Sequence, residues 1–547
     1  MKSIHEIASS LGLDSSLIEP FGNDKAKIPL SNFPTENIKG KKSHMVVVTA
    51  ITPTPSGEGK STTAVGLTQG LGKIGKHPIL TIRQPSLGPV FGHKGGGTGG
   101  GRATVQPSVD INLHFTGDFH AIESAHNLLA SMIDNSIYRK QIDGFTPQGI
   151  TWKRVTDAED RALRSITTGL GGKLNSPLRE TGFDISAASE IMAICALATS
   201  YSDLRNRLEN IVVGWTEDRR PVLAKETNSV GSMMALLKDA LKPNLAQTSE
   251  GQPALVHMGP FGNIAHGCSS IIADQLASQC GDYVITEAGF GADLGFEKFM
   301  DIKVRQGGKY PKCAVIVTTV KGLKWHGGIS LDDINSPNNE AIKKGSENLR
   351  NAIRIVKLYG LPSIVAINKF PSDKPDEIEL IKQLSKHYGA EGCEESNGFM
   401  EGGNGMMNLA EAVSGVCEST EVTPNLLYED NMSIIEKVDI MSKTLYKASE
   451  VKWGRTTKTT AKLFTDNGWY YPICMAKTHL SISADPKLRG APTGHVLPIN
   501  DLKILGGAKQ IVTMAGGIIT LPGLPSNPNA VDIDLTEEGN ITGILGA

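Results

Sequence analysis

One stretch, Thr49 to Thr63, restricts what this chain can fold into more than any other, and it reads T-A-I-T-P-T-P-S-G-E-G-K-S-T-T. An apolar run from Met45 to Ile51 enters it with the character of a buried strand, and Ala64, Val65, Leu67, Leu71 and Ile74 leave it at helical spacing. The order is strand, loop, helix. A loop that ends in Gly57, Gly59, Lys60 and Ser61 at a helix N-terminus gathers unpaired backbone N–H groups and the positive end of the helix dipole around one concavity, with a lysine beside it. Polyphosphate suits such a place. The usual pattern G-x-x-x-x-G-K-[ST] is met except at its first position, where Thr54 stands for glycine. A plain glycine-rich turn would leave Lys60 and the consecutive hydroxyls of Ser61, Thr62 and Thr63 without a reason.

At 547 residues the chain is long enough for two to four domains. Its 60 glycines and 5% aromatic residues suit an α/β enzyme with many tight turns between strand and helix. A net charge of -2 and a pI near 6.7 give no electrostatic case for nucleic acid or a membrane surface, so small molecules are the expected partners. The seven cysteines form no C-x-x-C pair, which argues against a disulfide framework and against a zinc knuckle. With no apolar signal core at the N-terminus and no run of 18 apolar residues, the expectation is a cytoplasmic protein with reduced thiols.

Residues 4 to 13 read as a short amphipathic helix and Pro20 to Lys42 as a polar connector. Beyond the helix that follows the phosphate loop, Ile79 to Ile82 is a short strand. It delivers Arg83 to the carboxyl edge of a parallel sheet, where open α/β folds bind ligands. A guanidinium there could clamp phosphate or carboxylate, or simply close the strand at the surface. The run Q-P-S-L-G-P-V-F-G-H-K-G-G-G-T-G-G-G-R, residues 84 to 102, sets Lys94 beside six glycines within Gly95 to Gly101. That is either a loop bringing backbone N–H groups to a ligand or a flexible linker. His114, Asp118 and His120 gather in one segment, as a metal site or as a hydrogen-bonded polar shell. Ala121 to Tyr138 follows as a packed helix.

Residues 140 to 250 are expected to form an inserted, mainly helical lobe with one strand at Ile211 to Gly214. Strands return at Ala254 to His257, Asp282 to Thr286, Cys313 to Thr319 and Pro362 to Asn368, and further strand-like stretches lie at 472 to 476 and 510 to 514. Glu287 and Asp293 fall where phosphate-loop folds carry the acidic group that orients Mg²⁺ or its water, with structural salt bridges as the alternative. Asn368 opens N-K-F-P-S-D, similar to a purine-reading N-K-x-D turn but with another spacing to Asp373. The expected architecture is α/β, a phosphate-loop-type, mostly parallel sheet flanked by helices. Residues 1–139 and 251–370 would make the nucleotide-binding domain, 140–250 the inserted lobe, and 371–547 a C-terminal α/β domain.

Taken together, these stretches resemble the formate–tetrahydrofolate ligase family over nearly the whole chain. T-P-T-P-S-G-E-G-K-S-T-T, R-Q-P-S-L-G-P, D-I-N-L-H-F-T-G-D, R-E-T-G-F-D-I-S, G-P-F-G-N-I-A-H-G-C and T-E-A-G-F-G-A-D-L-G carry the resemblance. It implies a three-domain α/β enzyme, a homotetramer, that joins formate to N10 of tetrahydrofolate with ATP and Mg²⁺ by way of formyl phosphate. A monovalent cation, K⁺ or NH₄⁺, is the implied activator. Carried over residue by residue, Pro53, Thr54, Pro55, Ser56, Gly57, Glu58, Gly59, Lys60, Ser61 and Thr62 would hold ATP, with Ser61 reaching its Mg²⁺. Lys60 and Arg83 would be catalytic, Arg83 holding formyl phosphate. Lys94 would meet substrate, and Phe370 and Phe399 would face the pterin ring in a cleft completed by 371–547.

Three departures accompany the resemblance. Phe399 stands where the family usually has Trp, Arg102 and Thr104 replace a Tyr and a Gln after the glycine run, and residues 318 to 328 read T-T-V-K-G-L-K-W-H-G-G for roughly A-T-V-R-A-L-K-x-H-G-G. The G-x-G-K core of Gly57 to Lys60 is also similar to the loops of dethiobiotin-synthetase-like and partition-ATPase-like proteins. A ligase of the first kind would be far shorter and would leave the folate-slot residues unexplained. A phosphate-loop ATPase switch that binds a partner protein is the reading from another class.

Overall fold

The computed structural model describes residues 1–34, 43–94, 96–172 and 174–546; residues 35–42 of the expected connector and Gly95 of the glycine run lie outside them. A sheet of 12 strands organises the chain. In chain order these are β1 (Glu19–Pro20), β2 (Ala26–Lys27), β3 (His44–Ala50), β4 (Pro78–Ile82), β5 (Gly99–Gly100), β6 (Ala103–Gln106), β7 (Asn244–Thr248), β8 (Pro253–Val256), β9 (Tyr283–Glu287), β10 (Cys313–Thr318), β11 (Ser363–Asn368) and β12 (Gly392–Ser396). The spatial order is β1-β2-β7-β8-β4-β9-β3-β10-β11-β12, with the β5–β6 pair laid on β7. From β8 through β12 every neighbour is parallel, and the remaining pairings are antiparallel.

The central strands are apolar throughout because helices cover both faces. In β3, Met45 and Val47 pack on the side of the helix Asn339–Leu358, with Leu349, Ile353 and Val356. Val46, Val48 and Ala50 face the other way, toward the helices Lys60–Lys73 and Met407–Ser419. Each such buried valine contributes roughly 1.5 to 3 kcal/mol. The strands read from sequence at 254, 282, 313 and 362 are found within a residue or so of those starts.

Residues 140–250 hold the helices Glu190–Leu197, Tyr201–Glu209 and Val230–Leu237. The strand expected at Ile211 to Gly214 is found as Val212–Thr216, and it is not alone: Phe145–Ile150 and Pro221–Leu223 flank it in a small antiparallel sheet. The segment then re-enters the main sheet as β7, N-L-A-Q-T, which its polar residues had concealed. Asn244 is buried because its amide donates to Asp118 at 2.7 Å and to the carbonyl of Val256 at 3.0 Å. The C-terminal residues add a three-stranded sheet of β13 (Ile473–Ala476), β14 (Asp501–Leu505) and β15 (Gln510–Met514), ordered β13-β15-β14. Among the described residues no helix is long and apolar enough to cross a membrane.

Candidate active site

Because β4, β9, β3, β10, β11 and β12 run parallel, their carboxyl ends share one edge of the sheet. The phosphate loop after β3, Arg83 after β4, Glu287 at the end of β9, Phe370 after β11 and Phe399 after β12 all issue from that edge. This is where an open α/β sheet binds its ligand.

The loop is rigidly built. Thr54 occupies the position usually held by glycine, and its N–H and hydroxyl both donate to Glu58 Oε1, at 3.2 and 2.8 Å. Glu58 Oε2 accepts from the Thr319 hydroxyl beyond β10 at 3.0 Å. Burial raises the Glu58 carboxyl above its ordinary range, although the Thr54 and Thr319 hydroxyls oppose the shift. The acidic side chain of the loop therefore ties the loop together, while Pro55, Ser56 and Gly57 are exposed at its tip. Gly59 takes a φ of 74° at the helix N-cap. A Cβ there would sit 2.2 Å from Asn368 Nδ2, so only glycine fits. The Asn368 amide in turn donates to the carbonyl of Glu58 at 3.2 Å, so it braces the loop and is not free to read a base.

Lys60, Ser61 and Thr62 form the first turn of the helix Lys60–Lys73, where backbone N–H groups lack helical partners. Lys60, Ser61, Arg83, Lys94 and Glu287 line a single cavity of about 370 Å³. Desolvation lowers the Lys60 ammonium to about 8; Glu287 pulls it upward, while Arg83 and Lys94 push it further down. Arg83 Nη1 donates to the carbonyl of Pro260 at 3.0 Å, and its buried Nε has no partner. Lys94 Nζ lies 5.1 Å from the centre of the Phe290 ring.

Wall residues that the sequence reading did not assign include Gln84, Glu159, Asn263 and His479. Gln84 sits in a motif that sequence does single out, but Glu159 and His479 come from remote stretches without a pattern of their own. His479 stacks on Phe290, the ring centres 4.8 Å apart, and burial lowers its imidazole to about 4, so the ring is neutral at physiological pH. Both amide atoms of Gln84, Glu159 Oε2 and Glu287 Oε1 are buried without hydrogen-bond partners. So many unsatisfied polar atoms around one cavity mark a place built for a polar ligand.

The two acidic candidates part company here. Asp293 is buried in an ion pair with Lys477 at 2.7 Å and accepts from the Thr52 hydroxyl at 3.0 Å, the structural alternative. Glu287 faces the cavity. Asp118 pairs with buried Lys27 at 2.5 Å, while His114 and His120 are exposed, and among the described residues no group of three or more His, Cys, Asp or Glu could hold a metal ion.

Phe370 and Phe399 are not among the cavity's lining residues. The Phe370 N–H donates to Asp373 at 2.8 Å, and Lys321 Nζ lies 5.1 Å from its ring. Phe399 is 51% exposed, with its carbonyl accepting from the Arg102 N–H at 2.9 Å. A second and larger cavity, about 970 Å³, lies between residues 151–219 and the C-terminal segment, with Trp152, Trp215 and Phe464 in its walls. It holds none of the phosphate-loop residues, so volume alone does not locate the chemistry.

The sequence profile of the family described as formate–tetrahydrofolate ligase matches residues 1–545. A relative of that name from Sinorhizobium medicae is 48% identical over 545 residues, covering 99% of this chain and 95% of the relative. Those from Roseiflexus castenholzii and Bacteroides fragilis are each 48% identical, covering 100% of this chain and 98% of the relative. With the phosphate loop, the cationic cavity and full-length likeness in agreement, the chain belongs to the formate–tetrahydrofolate ligase family.

Proposed function

We propose that this protein joins formate to N10 of tetrahydrofolate with ATP, through formyl phosphate, giving 10-formyltetrahydrofolate, ADP and phosphate. The observation that carries the reading is the cavity at the carboxyl edge, where Lys60, Arg83 and Lys94 converge beside buried polar atoms that lack partners. Formate is a poor electrophile. Its carboxylate oxygen must first attack the γ-phosphorus while the bond to the β,γ-bridging oxygen breaks, which brings two anions together. The amine of N10 then attacks the formyl carbon, phosphate departs, and N10 loses its proton.

Lys60 and Arg83 meet the charge on the transferred phosphoryl group, held in place before the reaction and so needing no rearrangement during it. Arg83, fixed at one Nη by Pro260, offers its other nitrogens to formyl phosphate. Lys94 meets substrate from the glycine-rich loop. Pro53 to Thr62 hold the nucleotide. The oxygen donors at hand fit Mg²⁺, since the Ser61 hydroxyl and the unpartnered Glu287 carboxylate oxygen both border the cavity. Bound there, the ion would supply positive charge to the phosphates. Phe370 and Phe399 serve the pterin ring, and residues 371–547 complete that cleft. Activation by K⁺ or NH₄⁺, a homotetramer, a cytoplasmic setting and the division into 1–139 with 251–370, 140–250 and 371–547 rest on family membership and on the sequence.

The test is ADP release measured with each substrate omitted in turn. Stoichiometric ADP and 10-formyltetrahydrofolate only when ATP, formate and tetrahydrofolate are all present supports the ligase. Equal ADP release without formate would replace it with an ATPase switch.

A further inference from the structure

The glycine-rich loop that carries Lys94 is gripped by a distant part of the chain. Asn529, at the start of a short 3₁₀ turn, donates its backbone N–H to the carbonyl of Gly92 at 2.7 Å. Its side-chain amide donates to the carbonyls of Val90 and Lys94, each at 3.0 Å. These carbonyls follow from the end of the helix Leu87–Phe91, where no further helical N–H remains to serve them. The chain then forms a small hairpin, Asp534–Leu535 paired with Ile541–Thr542, and comes back to the loop. The Leu545 carbonyl accepts the Gly96 N–H at 2.7 Å, and the Gly546 carbonyl accepts the Thr98 hydroxyl at 3.2 Å.

Residues 529–546 therefore hold the loop on both sides of Lys94, at 90–94 and at 96–98. A loop rich in glycine has many conformations to lose before its lysine can point anywhere in particular. We propose that residues 529–546 are a strap that positions Lys94 against the Phe290 ring at the cavity, with Asn529 as the positioning residue. The anionic group of substrate that Lys94 meets, phosphate or carboxylate, would then bind at a strength set 435 residues further along the chain. The inference rests on the reading of Lys94 as a substrate-facing cation. Asparagine suits the task because one amide group carries two N–H bonds for two carbonyls, which aspartate cannot supply.

The experiment measures kcat and the Michaelis constants for ATP, formate and tetrahydrofolate in the wild type, Lys94→Ala, Asn529→Ala, Asn529→Asp and the double alanine variant. Asn529→Ala is expected to raise, by about five- to tenfold, the same Michaelis constant that Lys94→Ala raises, with kcat within about threefold. Asn529→Asp should raise it further, as its carboxylate would face carbonyl oxygens. In the Lys94→Ala background, Asn529→Ala should add less than about twofold, because no lysine is left to place. The strap is overturned if Asn529→Ala leaves the constants unchanged, keeps its whole effect without Lys94, or degrades all three constants together with the melting temperature. It is equally overturned if Lys94→Ala alters none of them. A wild type that fails to release ADP with all substrates present would instead sink the ligase reading. The strap is then judged by the Kd for ADP on the same variants, where the same pattern supports it and equal values in all five overturn it.

Discussion

Lys60 shows how a single side chain ties the site to pH. Its ammonium is lowered from 10.5 to about 8, first by desolvation. Because the folded value lies below the unfolded one, the native state disfavours the charged form, and this group makes the protein more stable as pH rises from about 8 toward 10.5. A polyphosphate bound there, as proposed, would reverse that preference by pairing with the ammonium. The affinity for ADP is therefore expected to weaken above about pH 8, by up to about tenfold per unit, as the free enzyme loses the proton that the complex keeps. Calorimetric titration from pH 7 to 9.5 checks this, and Lys60→Arg should flatten the profile; a flat wild-type profile would remove Lys60 from the phosphates. Lys60→Ala and Arg83→Ala are each expected to cut kcat by about 10² to 10³, roughly 3 to 4 kcal/mol of lost charge stabilisation. If Arg83→Ala keeps its circular dichroism and melting and loses less than about fivefold, the clamp assignment is wrong. The placement of both residues at this cavity was legible because Arg83 follows directly on an apolar strand and Lys60 stands at a loop-to-helix junction. Gln84, Glu159 and His479 were not assigned, since a cavity wall is assembled from segments whose convergence no local pattern records.

At the scale of elements, the phosphate loop and the glycine-rich loop each depend on one residue with contacts elsewhere. Glu58 joins Thr54 to Thr319, so Glu58→Ala would strand three donors in a buried place and destabilise the fold by about 1 to 3 kcal/mol. Urea denaturation reads that loss, and a change within about 0.5 kcal/mol would show the clamp to be idle. Phe399 packs beside the glycine-rich loop: at Gly101, with a φ of 59°, an added Cβ would lie 2.2 Å from the Phe399 carbonyl oxygen. On the proposed reading, its half-exposed ring would be the face offered to the pterin. Phe399→Ala is expected to raise KM for tetrahydrofolate by about tenfold while KM for ATP holds, and Phe399→Trp to restore binding. A fall in melting temperature with both constants degraded would make Phe399 an anchor of the loop instead. The parallel strands were legible because burial on both faces leaves unbroken apolar runs, as in His44–Ala50. Strand β7 was not, since the burial of N-L-A-Q-T depends on amide hydrogen bonds to Asp118 and to the neighbouring strand that only the assembled sheet supplies.

For the whole molecule, the expected assembly is a homotetramer, and sedimentation at micromolar concentration should give a species about four times the mass of the 58.3 kDa chain. A single species at the monomer mass would remove that expectation. The α/β class and the family were legible from sequence because four of the matching stretches, at 52–63, 83–89, 259–268 and 286–295, begin at the carboxyl ends of apolar strands of the main sheet. The mixed content of residues 140–250 was not, because short strands such as Pro221–Leu223 carry too few residues to show a period. The order of strands in the sheet also has a consequence in time. β3 is flanked by β9 and β10, so a strand finished at Ala50 acquires its first neighbour only when Tyr283–Glu287 is made. At ribosomal rates that interval is roughly ten to fifty seconds. Throughout it this apolar strand, already joined to its phosphate loop, lacks both of its native neighbours. Among the strands of the main sheet, His44–Ala50 is therefore the one that waits longest in synthesis for its first hydrogen-bonded partner.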